Sequence, residues 1–143
     1  KNRLFLSSKY DTREKIIAYV QRNNTQDSLQ FANQTVLAPI LHELGHDFYY
    51  SFIKEVAKER KIPYNKSKEL INTIVKNWGN ELILQDKTII RILSRYADAG
   101  FSEERYTETV AEIFSVRKIN NYAKDLMTRL KGVLGNDDST NRT

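Results

Sequence analysis

One long helical pattern, from residue 36 to about residue 61, limits the folds open to this chain more than any other segment. Apolar side chains recur there at the three- and four-residue spacing of a single helix face. Pro39 suits the first turn, where no backbone N–H is needed, and Ile62-Pro63 ends the pattern. The sequence therefore predicts one long helix, with Thr35 as its cap. Its apolar stripe consists of Ile40, Leu41, Leu44, Phe48, Phe52 and Val56.

Both histidines of the 143-residue chain lie on this helix, four residues apart, within the stretch ILHELGHDF at residues 40–48. Positions i and i+4 share a helix face, so nitrogens of His42 and His46 can reach one ion at roughly 2.0 to 2.1 Å. Glu43 lies about 100° round the helix from His42, where it can take a proton from water held by that ion. The spacing predicts a metal site, and the alternative is a helix that carries two polar residues by chance.

A candidate third ligand lies in the stretch ETVAEIF at residues 108–114. Glu108 and Glu112 are one turn apart on an otherwise apolar helix, so their carboxylates face the same side. Buried carboxylates need partners, and a zinc ion and a ligating imidazole provide two. We therefore assign Glu108 as the third zinc ligand and Glu112 as the acceptor that orients His42. The alternative is an acidic pair on a solvated helix face, with Arg105 nearby.

The other predicted elements follow from apolar periodicity and from turn and capping residues. The fold class predicted from them is α+β, predominantly α-helical. Residues 1–134 are expected to form a single domain, followed by a disordered polar tail at 135–143. The individual elements are a strand at 3–6, a helix at 12–22, helices at 66–78, 86–96 and 103 to about 130, and a loop at 97–102. Residues 16–20 could alternatively pair as a strand, and residues 28–32 could form a short edge strand.

The composition narrows the classes of function. The chain has no cysteine, so a metal must be held by histidine, aspartate or glutamate, and Zn²⁺ is the expected cofactor. The net charge is +5 and basic residues alternate with acids, as at 54–60, so no nucleic-acid partner is expected. No apolar run reaches the roughly 18 residues of a membrane span, which predicts a soluble protein. Because the chain opens on Lys1, we expect a processed piece of a larger polypeptide.

The two motifs resemble those of the gluzincin zinc metallopeptidases, most closely the branch of anthrax lethal factor and the clostridial Pro-Pro endopeptidases. The stretch HELGH at 42–46 looks like the active-site helix of that family. The stretch at 108–114 looks like its glutamate helix, where an E-x-x-A-E-x-F pattern carries the third ligand. The resemblance covers residues 36–116 and implies a zincin-like domain with a small N-terminal sheet and an HExxH helix.

The resemblance also implies a tyrosine that supports the oxyanion. The family places it about two turns before the ligand glutamate, where this chain has Phe101. The segment Ser-Arg-Tyr-Ala at 94–97 is similar to the family's Ser-x-Tyr-Gly/Ala segment, displaced by a short insertion. Tyr96 is therefore the candidate for this role, with Tyr106 as the reserve. A core aromatic residue is the alternative for Tyr96.

The activity implied by the resemblance is that of a zinc-dependent endopeptidase acting on a protein or peptide substrate, with Glu43 as general base. A secreted, phage- or toxin-associated location is expected. If residues 28–32 form an edge strand beside the site, a peptide could add to it as a further strand.

Two alternatives to this activity remain. One is a repressor-cleaving peptidase of a mobile element, although such enzymes usually have their ligand glutamate closer to the histidines. The other is a non-catalytic, zinc-stabilised assembly module of a phage or toxin polyprotein. The intact Glu43 argues against the module, because a structural zinc site needs no base.

Overall fold

The structure, a computed structural model, describes residues 12–15, 17–18, 24–25, 28–29 and 31–142. At 24–25, 28–29 and 136–142 the description is limited to the backbone. The strand predicted for 3–6 lies outside the described residues. The helix predicted for 12–22 falls partly within them, and residues 13–15 and 17–18 are helical.

Helices make up nearly all of the described chain. In chain order they are α1 (Ala38–Arg60), α2 (Tyr64–Gln85), α3 (Ile89–Leu93), α4 (Arg95–Ser102), α5 (Tyr106–Ser115) and α6 (Asn121–Arg142). A short antiparallel ladder joins β1 (Asn24–Thr25) to β2 (Ser28–Leu29).

The predicted α+β fold is wrong, because the described chain forms a small helical domain. The ladder of β1 and β2 has two residues in each strand, which is too short to form one layer of a core. The edge strand predicted for 28–32 ends at Leu29, and residues 31–33 form a bend that buries Phe31. The buried face of α1 differs from the predicted stripe: Tyr49, Phe52, Ile53 and Val56 are buried, whereas Leu44 is exposed and Ile40, Leu41 and Phe48 are only partly buried. The small N-terminal sheet expected of a zincin is not found in the described residues.

The core lies between α1, α2, α5 and α6. Each contributes a fully buried side chain: Ile53, Trp78, Ile113 and Leu126. Burial of a side chain of this size stabilises the fold by roughly 1.5 to 3 kcal/mol. Trp78 also donates its indole N–H to the carbonyl oxygen of Tyr122 at 3.0 Å, which ties α2 to the first turn of α6.

A close approach of α1 and α5 sets the position of the two predicted motifs. A Cβ atom at Gly45 would lie 2.5 Å from the Cα atom of Ala111, so only glycine lets the two backbones pack this closely. Gly45 lies between the two histidines along α1, and Ala111 lies between Glu108 and Glu112 along α5. The contact therefore brings the acidic residues of α5 opposite the histidines of α1.

Several predicted helix boundaries are wrong. The helix predicted for 66–78 continues to Gln85, because Gly79 packs its bare backbone against the ring of Phe101 instead of ending the helix. The helix predicted for 86–96 breaks at Ser94, whose extended backbone ends α3 and whose hydroxyl accepts the N–H of Ala97 at 3.0 Å. This cap starts α4 where a loop was predicted.

The long helix predicted from residue 103 to about 130 is also interrupted. α5 begins only at Tyr106 and ends at Ser115, and Asn120 caps α6 by accepting the N–H of Ala123 at 3.0 Å. The backbone of α6 is helical as far as Arg142, while the single domain at 1–134 and the polar tail at 135–143 stay predictions. None of the helices in the described ranges has both the length and the apolar character that crossing a membrane requires.

Candidate metal centre

The three predicted metal ligands lie together at the contact of α1 and α5. The Nε2 atom of His42 lies 3.1 Å from Nε2 of His46 and 3.1 Å from Oε1 of Glu108. The Nε2 atom of His46 lies 3.5 Å from Oε2 of Glu108. One donor atom from each residue falls within 4.8 Å of the other two, so this group could hold a metal ion.

The second nitrogen of each imidazole faces a hydrogen-bond partner. The Nδ1 atom of His42 lies 2.5 Å from Oε2 of Glu112, and a carboxylate accepts the proton there. The Nδ1 atom of His46 lies 2.7 Å from the hydroxyl oxygen of Thr107, which can accept a hydrogen bond from the ring N–H. With Nδ1 protonated in both neutral rings, the lone pairs are on the two Nε2 atoms that face each other.

The chemistry of this donor set fits a divalent cation. Two imidazole lone pairs and the carboxylate of Glu108 converge, and three acceptors this close repel one another unless a cation lies between them. Two histidines and one glutamate are a donor set that zinc takes in catalytic sites. The group is also sheltered, since His42 is buried and His46 and Glu108 are partly buried.

In the metal-free protein a proton takes the place of that cation. Burial lowers the pKa of His42, but the hydrogen bonds and charges of Glu108 and Glu112 outweigh burial and raise this pKa to about 9. Hydrogen bonds from His42 and then His46 hold the pKa of the Glu108 carboxyl well below its usual range, against the opposing effect of burial. The proton on His42 must therefore leave before a metal ion can bind there.

We expect the affinity for zinc to rise about tenfold per pH unit from about pH 7 to pH 9, because the metal competes with the proton on His42. Above pH 9 this group no longer affects the affinity. Competition with a chelator of known zinc affinity, repeated in pH steps, measures the slope. An affinity that stays constant from pH 7 to pH 9 would contradict the expectation.

The same shift predicts the pH dependence of stability in the metal-free protein. A pKa raised from 6.5 to about 9 stabilises the folded state fully below pH 6.5, and this stabilisation is lost as the pH rises through 9. The loss is on the order of 3 kcal/mol in the free energy of unfolding. Urea unfolding in the presence of a chelator, with His42→Ala as the control, separates this contribution from other titrations.

Glu112 fixes both the ring of His42 and the bend before α1. Its side chain is fully buried, and its second oxygen accepts the backbone N–H of Ala32 at 2.6 Å. The carboxylate therefore has a donor at each oxygen, which removes most of the cost of burying it. Because the N–H of Ala32 is already bonded, it cannot pair with a peptide, and this argues against strand addition at residues 28–32.

Glu43, the predicted general base, follows His42 on α1 and is half-buried. It makes no hydrogen bond or ion pair with any residue in the described part of the chain. A general base must be free to exchange a proton with water or substrate, and this carboxylate is free in that sense.

The two candidate tyrosines lie in different places. The ring of Tyr96 packs against that of His42, with centroids 4.8 Å apart, and against that of Phe31, with centroids 5.2 Å apart. Tyr106 is buried against Phe101 and lines a separate pocket with residues of α2 such as Asn72. Tyr96 is therefore the tyrosine that lies beside the histidines, while its role at an oxyanion stays a prediction.

Thr107 was not singled out from the sequence. Its hydroxyl is the partner of His46 described above, and it precedes Glu108 on α5. A ligating histidine needs a partner for its other nitrogen, and the polar residue beside the ligand glutamate was the signal that could have identified Thr107.

We expect Thr107→Val to weaken zinc binding by about 10- to 100-fold, because it removes the acceptor that orients His46 while keeping the shape of the side chain. Chelator competition measures the change. Thr107→Ser keeps the hydroxyl and should retain most of the affinity. If the valine variant binds zinc as tightly as the native protein, Thr107 does not orient His46.

Comparisons of the chain with protein-family models, with curated proteins and with solved structures give no match. The resemblance to gluzincin peptidases therefore stays a prediction that rests on the two motifs.

Proposed function

We propose that the protein is a zinc-dependent endopeptidase. The observation that carries the proposal is the convergence of His42, His46 and Glu108. Glu43 follows His42 in the sequence, and its carboxylate has no partner among the described residues. Catalytic zinc sites have three protein ligands and keep a position open, whereas structural sites close it with a fourth. The described residues supply three such ligands, which favours a catalytic site.

In the proposed reaction, the metal and the side chains around it have different roles. Zinc, when bound, supplies the Lewis acid that polarises the scissile carbonyl group and acidifies water. Glu43 accepts a proton from the attacking water and passes it to the nitrogen of the leaving amine. The hydroxyl of Tyr96 donates to the carbonyl oxygen as negative charge develops, a contact worth roughly 3 to 4 kcal/mol. Thr107 and Glu112 keep the imidazoles oriented throughout.

Two further features support this proposal. Glu112 and the bend at residues 31–33 hold His42 from the side away from Glu108, so the ligands are oriented before substrate binds. The segments at 42–46 and 108–114, which resemble gluzincin motifs, also contain every ligand of the site and the candidate base. We therefore place the protein with the gluzincin peptidases as part of the same proposal.

The test uses three preparations: zinc-loaded protein, protein stripped by a chelator, and stripped protein with zinc restored. Each is incubated with a diverse peptide mixture, and mass spectrometry identifies the bonds that are cut. We expect the loaded and restored preparations to cut one common set of bonds and the stripped preparation to cut none. If the loaded protein holds one zinc ion per chain and cuts nothing, the proposal fails and a non-catalytic, zinc-stabilised module takes its place.

A further inference from the structure

A groove of about 440 Å³ lies away from the metal centre, between α1, the end of α5 and α6. Its floor is apolar and consists of Phe48, Phe114 and Met127. A second depression shares Phe48 and Phe114 with this groove and is also lined by Leu44, Asp47 and Ser51. Phe48 lies two residues beyond His46, about 200° round the helix, so the groove is on the opposite face of α1 from the zinc ligands. It is a separate concave surface.

The rim of this groove is basic. Arg117 and Lys118 lie on one side, and Lys124 and Lys131 lie on α6 at the other. The three lysines are exposed, and in the described part of the chain none of them forms an ion pair. Elsewhere basic residues do pair with acids, as Arg129 does with Glu81 and Asp125. An apolar floor between two positively charged edges is thus left without a partner.

The aromatic rings of the floor make face contacts with neighbouring groups. The ring of Phe48 is stacked between those of Phe52 and Phe114, with centroids 5.5 and 5.1 Å apart. The guanidinium of Arg117 lies over the ring of Phe114, with its carbon 3.8 Å from the ring centre. The stacking of nucleic-acid bases needs open ring faces, and these contacts already occupy ring faces of Phe48 and Phe114.

We propose that this groove binds an acidic peptide segment that also carries bulky apolar residues. Carboxylates on such a segment match the cations on both edges, and its apolar side chains match the floor between them. A fatty acid fits less well, because one carboxylate would leave most of the cations unmatched. The basic segment at residues 1–10 would be repelled. The proposal does not depend on the activity of the metal centre.

The probe is a synthetic peptide of three Glu-Leu-Asp-Phe repeats, titrated by calorimetry into zinc-loaded protein that carries Glu43→Gln, so that cleavage cannot occur. The groove variant combines Lys118→Glu, Lys124→Glu and Lys131→Glu. The matched control combines charge reversals at three exposed lysines of α2 and the turn after it, Lys68, Lys76 and Lys87. A second peptide replaces each Leu and Phe by Ser and keeps every acid. Circular dichroism checks that both variants are folded.

We expect the groove variant to lose at least tenfold in affinity and the matched control to change less than twofold. The serine peptide should also bind at least tenfold more weakly, because it lacks the groups that contact the floor. Equal losses in the two variants would overturn the proposal, since they indicate general attraction to a basic protein. Binding of single-stranded DNA or of anionic phosphatidylserine vesicles more tightly than the peptide, through the same lysines, would also overturn it.

Discussion

Glu43→Gln is expected to lower kcat/KM for a cleaved peptide by about 10²- to 10⁴-fold, the range attributed to a positioned general base. Glutamine keeps the shape of the side chain and cannot accept the proton of the attacking water. Glu43 has no hydrogen bond or ion pair among the described residues, so its replacement should leave the fold intact. The affinity for zinc should change less than threefold, because Glu43 is not a ligand.

The control for this variant is Glu59→Gln, which makes the same chemical change at an exposed position on α1. It should retain full activity. Kinetics on one peptide, together with chelator competition for zinc, separate loss of the base from loss of the metal. Retention of more than a tenth of native activity by Glu43→Gln would remove Glu43 from the mechanism, and a parallel loss of zinc would show that it acts on the metal.

Glu108→Gln is expected to weaken zinc binding by about 10²- to 10³-fold. Structural zinc sites bind the metal with about 10 to 16 kcal/mol. Divided among their four protein ligands, this gives roughly 2.5 to 4 kcal/mol for each ligand. The substitution removes the negative charge that the two histidines face at 3.1 and 3.5 Å. It also removes the carboxylate that helps to raise the pKa of His42, so the pH dependence of zinc binding should become weaker.

The matched control is Glu103→Gln, just before α5. That side chain pairs with Arg105 on the surface, where an ion pair contributes little. It should bind zinc as the native protein does. Chelator competition at pH 7 gives both affinities, and thermal unfolding with and without zinc gives a second readout. Native zinc affinity in Glu108→Gln would show that the third ligand lies elsewhere.

The parts of the site that lie within single helices were predictable. His42 and His46 share a face of α1, and Glu108 and Glu112 share a face of α5, because residues four apart always do in a helix. The meeting of the two helices does not follow from either pattern alone. It depends on Gly45, whose missing side chain lets the backbone of α5 approach α1, and the sequence gives only the glycine without its partner.

The errors in the fold have local physical causes. Ser94 sits within an apolar pattern that reads as one helix, and it interrupts the pattern by using its hydroxyl to start α4. The helix predicted for 66–78 continues through Gly79, because the ring of Phe101 fills the space beside this residue. Both outcomes depend on tertiary neighbours. Apolar periodicity cannot identify those neighbours. For the same reason, it predicted a strand at 28–32 that is longer than the observed β2.

The most direct test of the proposed zinc site is X-ray absorption at the zinc edge of the loaded protein, together with the zinc content per chain. We expect one zinc ion per chain in a four-coordinate site, with scattering from two imidazole rings, only nitrogen and oxygen ligands, and distances of about 2.0 to 2.1 Å. His46→Ala should remove one imidazole. Less than stoichiometric zinc at micromolar concentration, or a spectrum with fewer than two imidazoles, would contradict the assignment of His42, His46 and Glu108 as ligands.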